Sequence, residues 1–417
     1  MAKLLIRNAS EILTMEGAGW EPLSGARQNK LRIKTGVSIL VENGVIRSVM
    51  DETKAEKLNT KDMLVIDARG KTVMPGLVDS HTHIVYAGTR EDEFYLKLNG
   101  KSYLDILNAG YGIYRTVRDT RSASEDEIFA QTLPRIYDSI ANGTTTMEIK
   151  TGYGLDLENE MKMMRVIDRI GSLGIMNTVA TFLPLHAVPQ GTTEGSYVHN
   201  VIETMLPRFR DKCRYVDSFC DRGAFSPEST EEFYRAASAM GFRLKLHADE
   251  IAEIGCTSLC EKYKLETVDH LINTGSDGLA RIKKSGAIAS ILPITAFNIA
   301  DGKYPSGSQF IQNDVPLALA SDVSPISCNS NMFFAIYLAV RYCGLTIEAA
   351  LNAATINGAF ACGEGEKRGS IEPGKRADIL ILTIDSYRKI PYQYGSRLVD
   401  TVINNGEVVM AGGVHSL

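Results

Sequence analysis

The sequence predicts an α/β fold, a (β/α)8 TIM-like barrel with a small β-sandwich built from both chain ends. Two observations predict it. Both ends of the chain are rich in short β-like runs, and the region between them alternates strand-like with helix-length segments. We place the sandwich at residues 1–73 and 363–417 and the barrel at residues 74–362. A doubly wound parallel sheet is the alternative for the central region.

The chain ends are expected to supply the sandwich because both consist of short apolar runs separated by turns. The runs before the barrel are residues 4–8, 37–41, 45–49 and 64–67, and those after it are residues 377–382, 399–404 and 407–410. Asn43-Gly44, between the second and third runs, is a strong signal for a β-hairpin. The simplest arrangement brings both sets of strands into one small domain.

The central region supplies about eight strand-like segments, which is the number that a barrel of this type requires. The first ends at His83, and helix-length segments such as residues 231–240 separate the others. The later strands are predicted at residues 143–149, 177–186, 215–220, 243–247, 267–270, 287–292 and 316–320.

Composition narrows the class of protein. The 417 residues suffice for one large domain with a smaller companion, and the net charge of −5 disfavours nucleic acid or anionic membrane as the main partner. The apolar runs are shorter than the ~20 residues of a membrane span, and the first ten residues do not resemble a signal peptide. The seven cysteines are scattered without metal-binding spacing, so we expect reduced thiols and a cytoplasmic location.

The segment PGLVDSHTH at residues 75–83 is typical of a buried strand that ends in a metal site. Alternate residues of a strand share a side, so His81 and His83 should face the same way. Polar residues end several later strands too, and the full set of strand-end candidates is His81, His83, His186, His247, His270 and Asp322. Catalytic groups in such barrels lie at the carboxyl ends of the strands, which predicts one cluster. His199 and His415 lie elsewhere and are expected at the surface.

Three imidazoles and one carboxylate are enough to hold one divalent metal ion, zinc or iron (Fe²⁺ or Fe³⁺). The predicted ligands are His81, His83, His247 and Asp322. A bridged two-metal site of this type usually uses a carbamylated lysine at the end of the fourth strand, where this chain has Asp221-Arg222-Gly223 instead. Lys150 ends an earlier strand and is expected to be structural. We therefore expect a single ion.

Proton transfer is assigned to residues beside these ligands. Glu250 lies three residues after His247 and could take a proton from water and pass it to a leaving nitrogen. The alternative for Asp249 and Glu250 is a helix N-cap region, where acidic residues are also favoured. His270 could be a ligand, a partner of the reactive water, or an ordinary buried histidine. The predicted catalytic residues are thus Glu250, His270 and Asp322.

These motifs, with the late segment PGKRADILIL at residues 373–382, resemble the amidohydrolase superfamily. Within it, most of the chain is similar to the imidazolonepropionase family, and the segments that carry this likeness are residues 87–91, 101–107, 116–121, 151–155, 183–187, 246–250 and 390–395. The resemblance implies a metal-dependent hydrolase that opens the ring of 4-imidazolone-5-propanoate to N-formimino-L-glutamate in histidine degradation.

The resemblance also implies the same four ligands and a set of substrate contacts. The predicted substrate-binding residues are Arg90, Tyr103, Tyr153, His186, Glu250 and Ser327. Independently, a propionate needs a fixed cation and hydroxyl donors, which an arginine and two tyrosines can supply. Packing within loops is the alternative for the tyrosines. The expected partner is therefore a small cyclic substrate with a carboxylate, and a homodimer is the assembly left open.

The chain departs from the family pattern after the last barrel strand. The usual D-x-N-P-G-S-S is Asp322-Val323-Ser324-Pro325-Ile326-Ser327-Cys328 here, which removes an amide side chain and a glycine. A Gly-Gly-Gly-Ile stretch likewise reads Gly110-Tyr111-Gly112-Ile113. Two alternatives therefore keep the fold: a hydrolase of another ring, such as a hydantoin or thiohydantoin propionate, and an aminohydrolase that releases ammonia. A non-catalytic assembly protein would have lost its ligand residues, and here they are present.

Overall fold

The computed structural model describes residues 3–100, 110–412 and 414–415, and its first strands belong to two small sheets. These strands are β1 (Lys3–Arg7), β2 (Glu11–Leu13), β3 (Ile33–Lys34), β4 (Val37–Glu42), β5 (Val45–Asp51), β6 (Leu64–Asp67) and β7 (Thr72–Pro75). The predicted hairpin is confirmed, because β4 and β5 pair antiparallel and Asn43 and Gly44 at the turn have φ of 53° and 76°. Tight hairpin turns require this left-handed backbone. A 3₁₀ segment (Gly25–Asn29) and helix α1 (Glu52–Ala55) complete this part.

The central region forms one sheet of eight strands that pair in chain order, each parallel to its neighbours. They are β8 (Leu77–Asp79), β9 (Thr144–Lys150), β10 (Asn177–Leu185), β11 (Tyr215–Cys220), β12 (Arg243–Ala248), β13 (Leu265–His270), β14 (Ile288–Ile291) and β15 (Leu317–Leu319). The segments after the last and first strands meet, since Asp322 N donates to His81 O (3.1 Å) and His83 N donates to Val323 O (2.9 Å). The predicted (β/α)8 barrel is confirmed.

Helices connect these strands and cover the outside of the barrel. They are α2 (Glu91–Leu98), α3 (Ile113–Ser122), α4 (Glu125–Ala141), α5 (Leu157–Ser172), α6 (Glu194–Asn200), α7 (Leu206–Phe209), α8 (Pro227–Ala239), α9 (Ser276–Ser285), α10 (Pro293–Ile299), α11 (Gly307–Gln312), α12 (Met332–Tyr342), α13 (Ile347–Ala353) and α14 (Ile356–Ala361). A π segment (Val201–Met205) and a 3₁₀ segment (Cys256–Glu261) interrupt the series. Local sequence sets several starts. Ser124 and Glu127 form a capping box on α4, and Ser226 caps α8 just before Pro227.

After the barrel the chain returns to β structure with β16 (Ile379–Leu382), helix α15 (Lys389–Tyr392), β17 (Val399–Asn404), β18 (Glu407–Ala411) and β19 (Val414–His415). These strands extend a seven-stranded sheet that contains β7, β2 and β3, and β5, β4, β1 and β6 form the second sheet. One apolar core joins residues from both chain ends, including Leu4, Ile6, Ile39, Ile371, Ile379 and Ile403. The small β domain therefore draws on both chain ends, as expected. The residue limits of the two domains stay a prediction.

The cysteines differ from the expectation of reduced thiols. Cys220, the last residue of β11, and Cys256 form a disulfide, and the other five cysteines are free. The expectation is wrong for this pair because the fold brings together two residues that are 36 positions apart in sequence. The cysteine pattern therefore no longer supports the predicted cytoplasmic location. Among the helices of the described residues, none has both the length and the hydropathy needed to cross a membrane.

Candidate active site

His81 and His83 follow β8 at the carboxyl end of the barrel. The predicted strand running to His83 is too long, because β8 ends at Asp79. The Asp79 carboxylate accepts hydrogen bonds from Ser321 N (2.9 Å) and Ser321 Oγ (2.5 Å), which ties the first strand to the end of the last. Beyond Asp79 the backbone leaves regular strand pairing, yet the two imidazoles still meet, with their Nε2 atoms 3.2 Å apart.

Two more side chains bring donor atoms to the same point. His247 Nε2 lies 3.4 Å from His83 Nε2. Asp322 Oδ1 lies 3.6 Å from His81 Nε2 and 3.4 Å from His83 Nε2. All four side chains are buried, and they come from the ends of β8, β12 and β15. The four residues predicted to hold a metal are thus neighbours in the fold.

These spacings can be compared with what a metal ion requires. Bonds of about 2.0–2.2 Å in a tetrahedral site place neighbouring donor atoms about 3.3–3.6 Å apart. The separations here are 3.2, 3.4, 3.4 and 3.6 Å. The donors are imidazole nitrogens and a carboxylate oxygen, which are ordinary ligands for divalent metals. The arrangement fits a divalent metal ion.

Carboxylates on two other barrel strands contact the Nδ1 atoms of two of these imidazoles. His81 Nδ1 donates to Asp269 Oδ2 at 2.7 Å, and His247 Nδ1 lies 3.1 Å from Asp217 Oδ2. A carboxylate at Nδ1 keeps the proton on that nitrogen and leaves the lone pair of Nε2 free for a metal. The ring orientation and the tautomer are therefore set by residues inside the barrel.

Two buried lysines balance the charge of these carboxylates. Lys150 Nζ lies 2.7 Å from Glu148 Oε1, 2.8 Å from Asp217 Oδ2 and 3.9 Å from Asp269 Oδ2. Lys245 Nζ lies 3.3 Å from Glu148 Oε1. Burial opposes the charge on Lys150, but Asp217 and Glu148 outweigh it and raise the pKa of its ammonium. An unpaired buried charge would cost several kcal/mol. Loss of one charged side chain should therefore destabilise the rest of the network, which consists of Glu148, Lys150, Asp217, Lys245 and Asp269.

Burial disfavours the charged form of several imidazoles at this site. Burial lowers the pKa of His81 and His83 well below the ordinary value, and nearby Lys150 adds to the effect at both. Burial has the same effect on the pKa of His270. A neutral imidazole is the form that can bind a metal.

Glu250 and His270 lie next to each other beside the cluster. Glu250 Oε2 is 3.6 Å from His270 Nδ1, and 17 % of the Glu250 side chain is exposed. Burial raises the pKa of Glu250 well above its ordinary value, and the negative charges of Asp322 and Asp221 add to this. A carboxyl group with a raised pKa can hold a proton near neutrality and exchange it with a reacting group.

Asp249 has a different role from its neighbour. No helix begins here, because the next helical segment is the 3₁₀ turn that starts at Cys256, with Gly255 before it. The N-cap interpretation of Asp249 and Glu250 is therefore wrong. The Asp249 carboxylate accepts a hydrogen bond from Thr274 Oγ1 at 2.8 Å and joins the loops that follow β12 and β13.

His186 and Tyr153 stand on one side of the cluster. The rings of His83 and His186 stack with centroids 4.8 Å apart, and the Tyr153 ring is 5.1 Å from that of His186. His186 Nδ1 donates to Gly152 O at 3.1 Å, because a carbonyl oxygen can only accept. Burial lowers the pKa of His186 to about 3, which favours the neutral ring. The other ring nitrogen remains available to a ligand.

Arg90 precedes α2 and is already paired. Its Nε and Nη2 donate to the two carboxylate oxygens of Glu93 at 2.8 and 2.7 Å. A two-pronged contact of this kind fixes the plane of the guanidinium. Arg90 and Ser327 line a cleft of about 400 Å³ together with Phe94, Ile326 and others. Tyr103, the other tyrosine predicted to contact substrate, lies outside the described residues.

The segment that departs from the family pattern forms part of the wall of this cleft. Ser324 N donates to Ser327 O (3.0 Å) and Ser327 N donates to Ser324 O (3.1 Å), so the segment is a tight turn. Asn298 Nδ2 donates to Ser327 Oγ at 2.5 Å. The side chain of Ile326, where the family has glycine, is 44 % exposed. The turn thus accommodates isoleucine by directing it to solvent.

Sequence reasoning missed the buried network. Glu148, Asp217 and Asp269 were not singled out, although each is a charged residue within a barrel strand. That is a usable signal, because charged side chains are almost never fully buried unless they are paired. Asp221 was mentioned only as part of the segment that lacks the bridging lysine of a two-metal site, and no role of its own was predicted for it.

Comparisons with known proteins agree with this geometry. Residues 72–409 match the model of the amidohydrolase family. An imidazolonepropionase of Picrophilus torridus is 46 % identical over 403 residues, which is 97 % of each chain. An imidazolonepropionase of Thermoplasma volcanium is 42 % identical over 404 residues, again 97 % of each chain.

Solved structures share the fold at low sequence identity. A zinc-containing adenosine deaminase from Xanthomonas campestris has a TM-score of 0.77 and 17 % identity, with 100 % of this chain and 94 % of the other covered. A triazine hydrolase variant has a TM-score of 0.75 and 18 % identity, with 100 % and 96 % covered. At this identity the likeness supports the barrel fold and does not specify a substrate.

Proposed function

The chain belongs to the amidohydrolase family, and we propose that it opens the ring of 4-imidazolone-5-propanoate by hydrolysis to give N-formimino-L-glutamate in histidine degradation. The observation that carries the proposal is the convergence of His81, His83, His247 and Asp322 beside Glu250. Identities of 46 % and 42 % to imidazolonepropionases over nearly the whole chain support the choice of substrate.

We propose that the four clustered residues hold one zinc or iron ion. When bound, such an ion lowers the pKa of a coordinated water and polarises a carbonyl group. The remaining steps fall to the protein. Asp269 and Asp217 keep two imidazoles in the binding tautomer, and Lys150 offsets part of the charge of these carboxylates.

Proton transfer is assigned to Glu250, assisted by His270. As water adds to the ring carbonyl carbon, Glu250 takes a proton from it. When the carbon–nitrogen bond breaks, the same carboxyl group returns the proton to the departing ring nitrogen. The raised pKa of Glu250 suits a group that must both accept and donate near neutral pH. His270, 3.6 Å away, is placed to share that proton.

Substrate orientation is assigned to residues on the loops. The guanidinium of Arg90, with its plane fixed by Glu93, is the proposed partner of the substrate carboxylate. Tyr153 and His186 are proposed to contact the ring, since both lie close to His83. Ser327 and Tyr103 are the further proposed contacts. A substrate that lacks the carboxylate should therefore be hydrolysed less efficiently, although the residues proposed to bind the metal are unaffected.

A substrate panel tests the proposal. Purified protein is incubated with 4-imidazolone-5-propanoate, hydantoin and thiohydantoin propionates, an imidazolone without a carboxylate, and an adenine nucleoside. We expect the highest kcat/KM for the imidazolone propionate, with N-formimino-L-glutamate as product and no ammonia released. Faster turnover of a hydantoin propionate, or release of ammonia from the nucleoside, would overturn the choice of substrate.

A further inference from the structure

Asp221 follows the fourth barrel strand and is 2 % exposed. Its Oδ2 accepts the backbone N–H groups of Glu250 (2.8 Å) and Ile251 (2.9 Å). Its Oδ1 accepts those of Ala252 (3.0 Å) and Arg222 (2.7 Å). One buried carboxylate therefore receives four backbone hydrogen bonds, three of them from the loop that follows β12.

This loop carries the proposed proton-transfer group but lacks regular structure of its own. Residues 249–255 lie between β12 and the 3₁₀ segment that begins at Cys256. The side-chain contact between Glu250 and His270 is 3.6 Å, which is too long for a strong hydrogen bond. The place of the Glu250 carboxyl group therefore depends mainly on the orientation of the loop backbone. Asp221 gathers three backbone N–H groups of this loop on one buried side chain, so it is well suited to fix that orientation.

We propose that Asp221 is a positioning residue that holds the Glu250 carboxyl group in place through the backbone of residues 250–252. The inference rests on the proposed function of Glu250. The Cys220–Cys256 disulfide joins the same two segments covalently on either side of these hydrogen bonds. Loss of the Asp221 carboxylate should thus loosen the loop while the fold remains intact.

A second loop offers a matched control. The carboxylate of Glu160 on α5 is also buried and accepts the N–H groups of Gly152 (3.0 Å), Gly154 (2.7 Å) and Leu155 (2.8 Å). These residues flank Tyr153 instead of Glu250. Glu160→Gln and Asp221→Asn therefore remove the same kind of contact from two different loops of the site.

The first experiment is a double-mutant cycle on kcat. Asp221→Asn should lower kcat by about 10- to 100-fold with KM changed by less than about threefold, since a misplacement of about 1 Å can cost 10²-fold. In a Glu250→Gln background the same substitution should change kcat by less than about twofold, because the group it positions is already lost. Glu160→Gln should change kcat by the same factor in the Glu250→Gln background as in wild type, because the loop that it affects carries Tyr153 instead of Glu250. A full effect of Asp221→Asn in both backgrounds would overturn the proposal.

The second experiment needs no substrate. Hydrogen exchange of the unliganded protein should show that Asp221→Asn speeds exchange of the amides of residues 250–252 by at least about tenfold, while residues 152–155 stay protected. Glu160→Gln should give the reverse pattern. Unchanged protection of residues 250–252 would overturn the inference even if the enzyme were active. If wild-type protein fails on imidazolone propionate, the proposed function fails and the exchange result still decides the inference. Asp221→Ser replaces the asparagine variant if that one does not fold.

Discussion

The active-site end of the barrel has two regions that are built in different ways. The floor consists of His81, His83 and His247, and carboxylates on the strands hold two of these rings. The mouth consists of loop residues such as Arg90 and Ser327, which contact other loop residues. Contacts to barrel strands and to their ends fix the floor, whereas contacts between loops fix the mouth. The floor can therefore stay the same while the mouth changes, and the chain's departures from the family pattern lie in the mouth.

The two regions also differ in how much charge they bury. The floor rests on the buried network of two lysines and three carboxylates, in which the loss of one member leaves another unpaired. In the mouth, the side chains of Arg90 and Glu93 are also largely buried, but they pair with each other through two hydrogen bonds instead of joining a larger network of buried charges. Substitutions should therefore have larger effects in the floor.

The largest effect is expected from removing one of the proposed metal ligands in the floor. His247→Ala should abolish metal binding and lower kcat/KM by at least about 10³-fold, because a catalytic ion supplies several kcal/mol of transition-state stabilisation. Elemental analysis with a steady-state assay measures both, and His199→Ala, at an exposed histidine, is the control. Two ions per wild-type chain, or unchanged metal content in the variant, would contradict the single-ion proposal.

Glu250→Gln tests the residue that lies between the two regions. The variant should keep its metal but lose about 10²–10⁴-fold in kcat, the usual contribution of general acid–base catalysis. Glu253→Gln, at an exposed carboxylate three residues further on, should leave kcat near the wild-type value. Wild-type activity of the Glu250 variant at neutral pH would assign proton transfer to His270 or Asp322 instead.

The sequence predicted the floor better than the mouth for a physical reason. The rule that catalytic groups follow the carboxyl ends of barrel strands was enough to predict that His81, His83, His247 and Asp322 lie close together. The turn at residues 324–327 and the Arg90–Glu93 pair depend on contacts between loops, which periodicity does not encode. The Cys220–Cys256 pair was missed for the same reason.

Some features of the floor also escaped prediction. The end of β8 was misplaced because, beyond Asp79, the backbone of His81 and His83 bonds to the segment after the last strand, a contact that only the closed barrel creates. Likewise, the position of Lys150 in the sequence did not indicate that its ammonium group would pair with carboxylates on three different strands. Single charged residues inside strands are visible in the sequence, but which of them pair is set by the barrel.

Arg90→Ala tests whether the mouth recognises a carboxylate. The change should cost about 2–5 kcal/mol in kcat/KM, the range for removing one partner of a buried charge pair. Removing the carboxylate from the substrate should lower the kcat/KM of wild type by a similar amount and should leave that of the variant almost unchanged. Arg118→Ala, at an exposed arginine, is the control. If wild type turns over the trimmed substrate as well as the full acid, Arg90 is structural and the substrate lacks a propionate.

The smallest effect on activity is expected at the boundary between the two regions, where the disulfide lies. Cys256→Ser should lower the free energy of unfolding by about 2–4 kcal/mol, because the disulfide closes a loop of 36 residues in the unfolded chain. It should change kcat by less than about twofold, since the Asp221 carboxylate still holds residues 250–252. Urea unfolding and the steady-state assay measure the two quantities. Thiol titration of the denatured protein provides the check: five free cysteines are expected before reduction and seven after it. Seven thiols before reduction would mean that hydrogen bonds alone join the ends of β11 and β12.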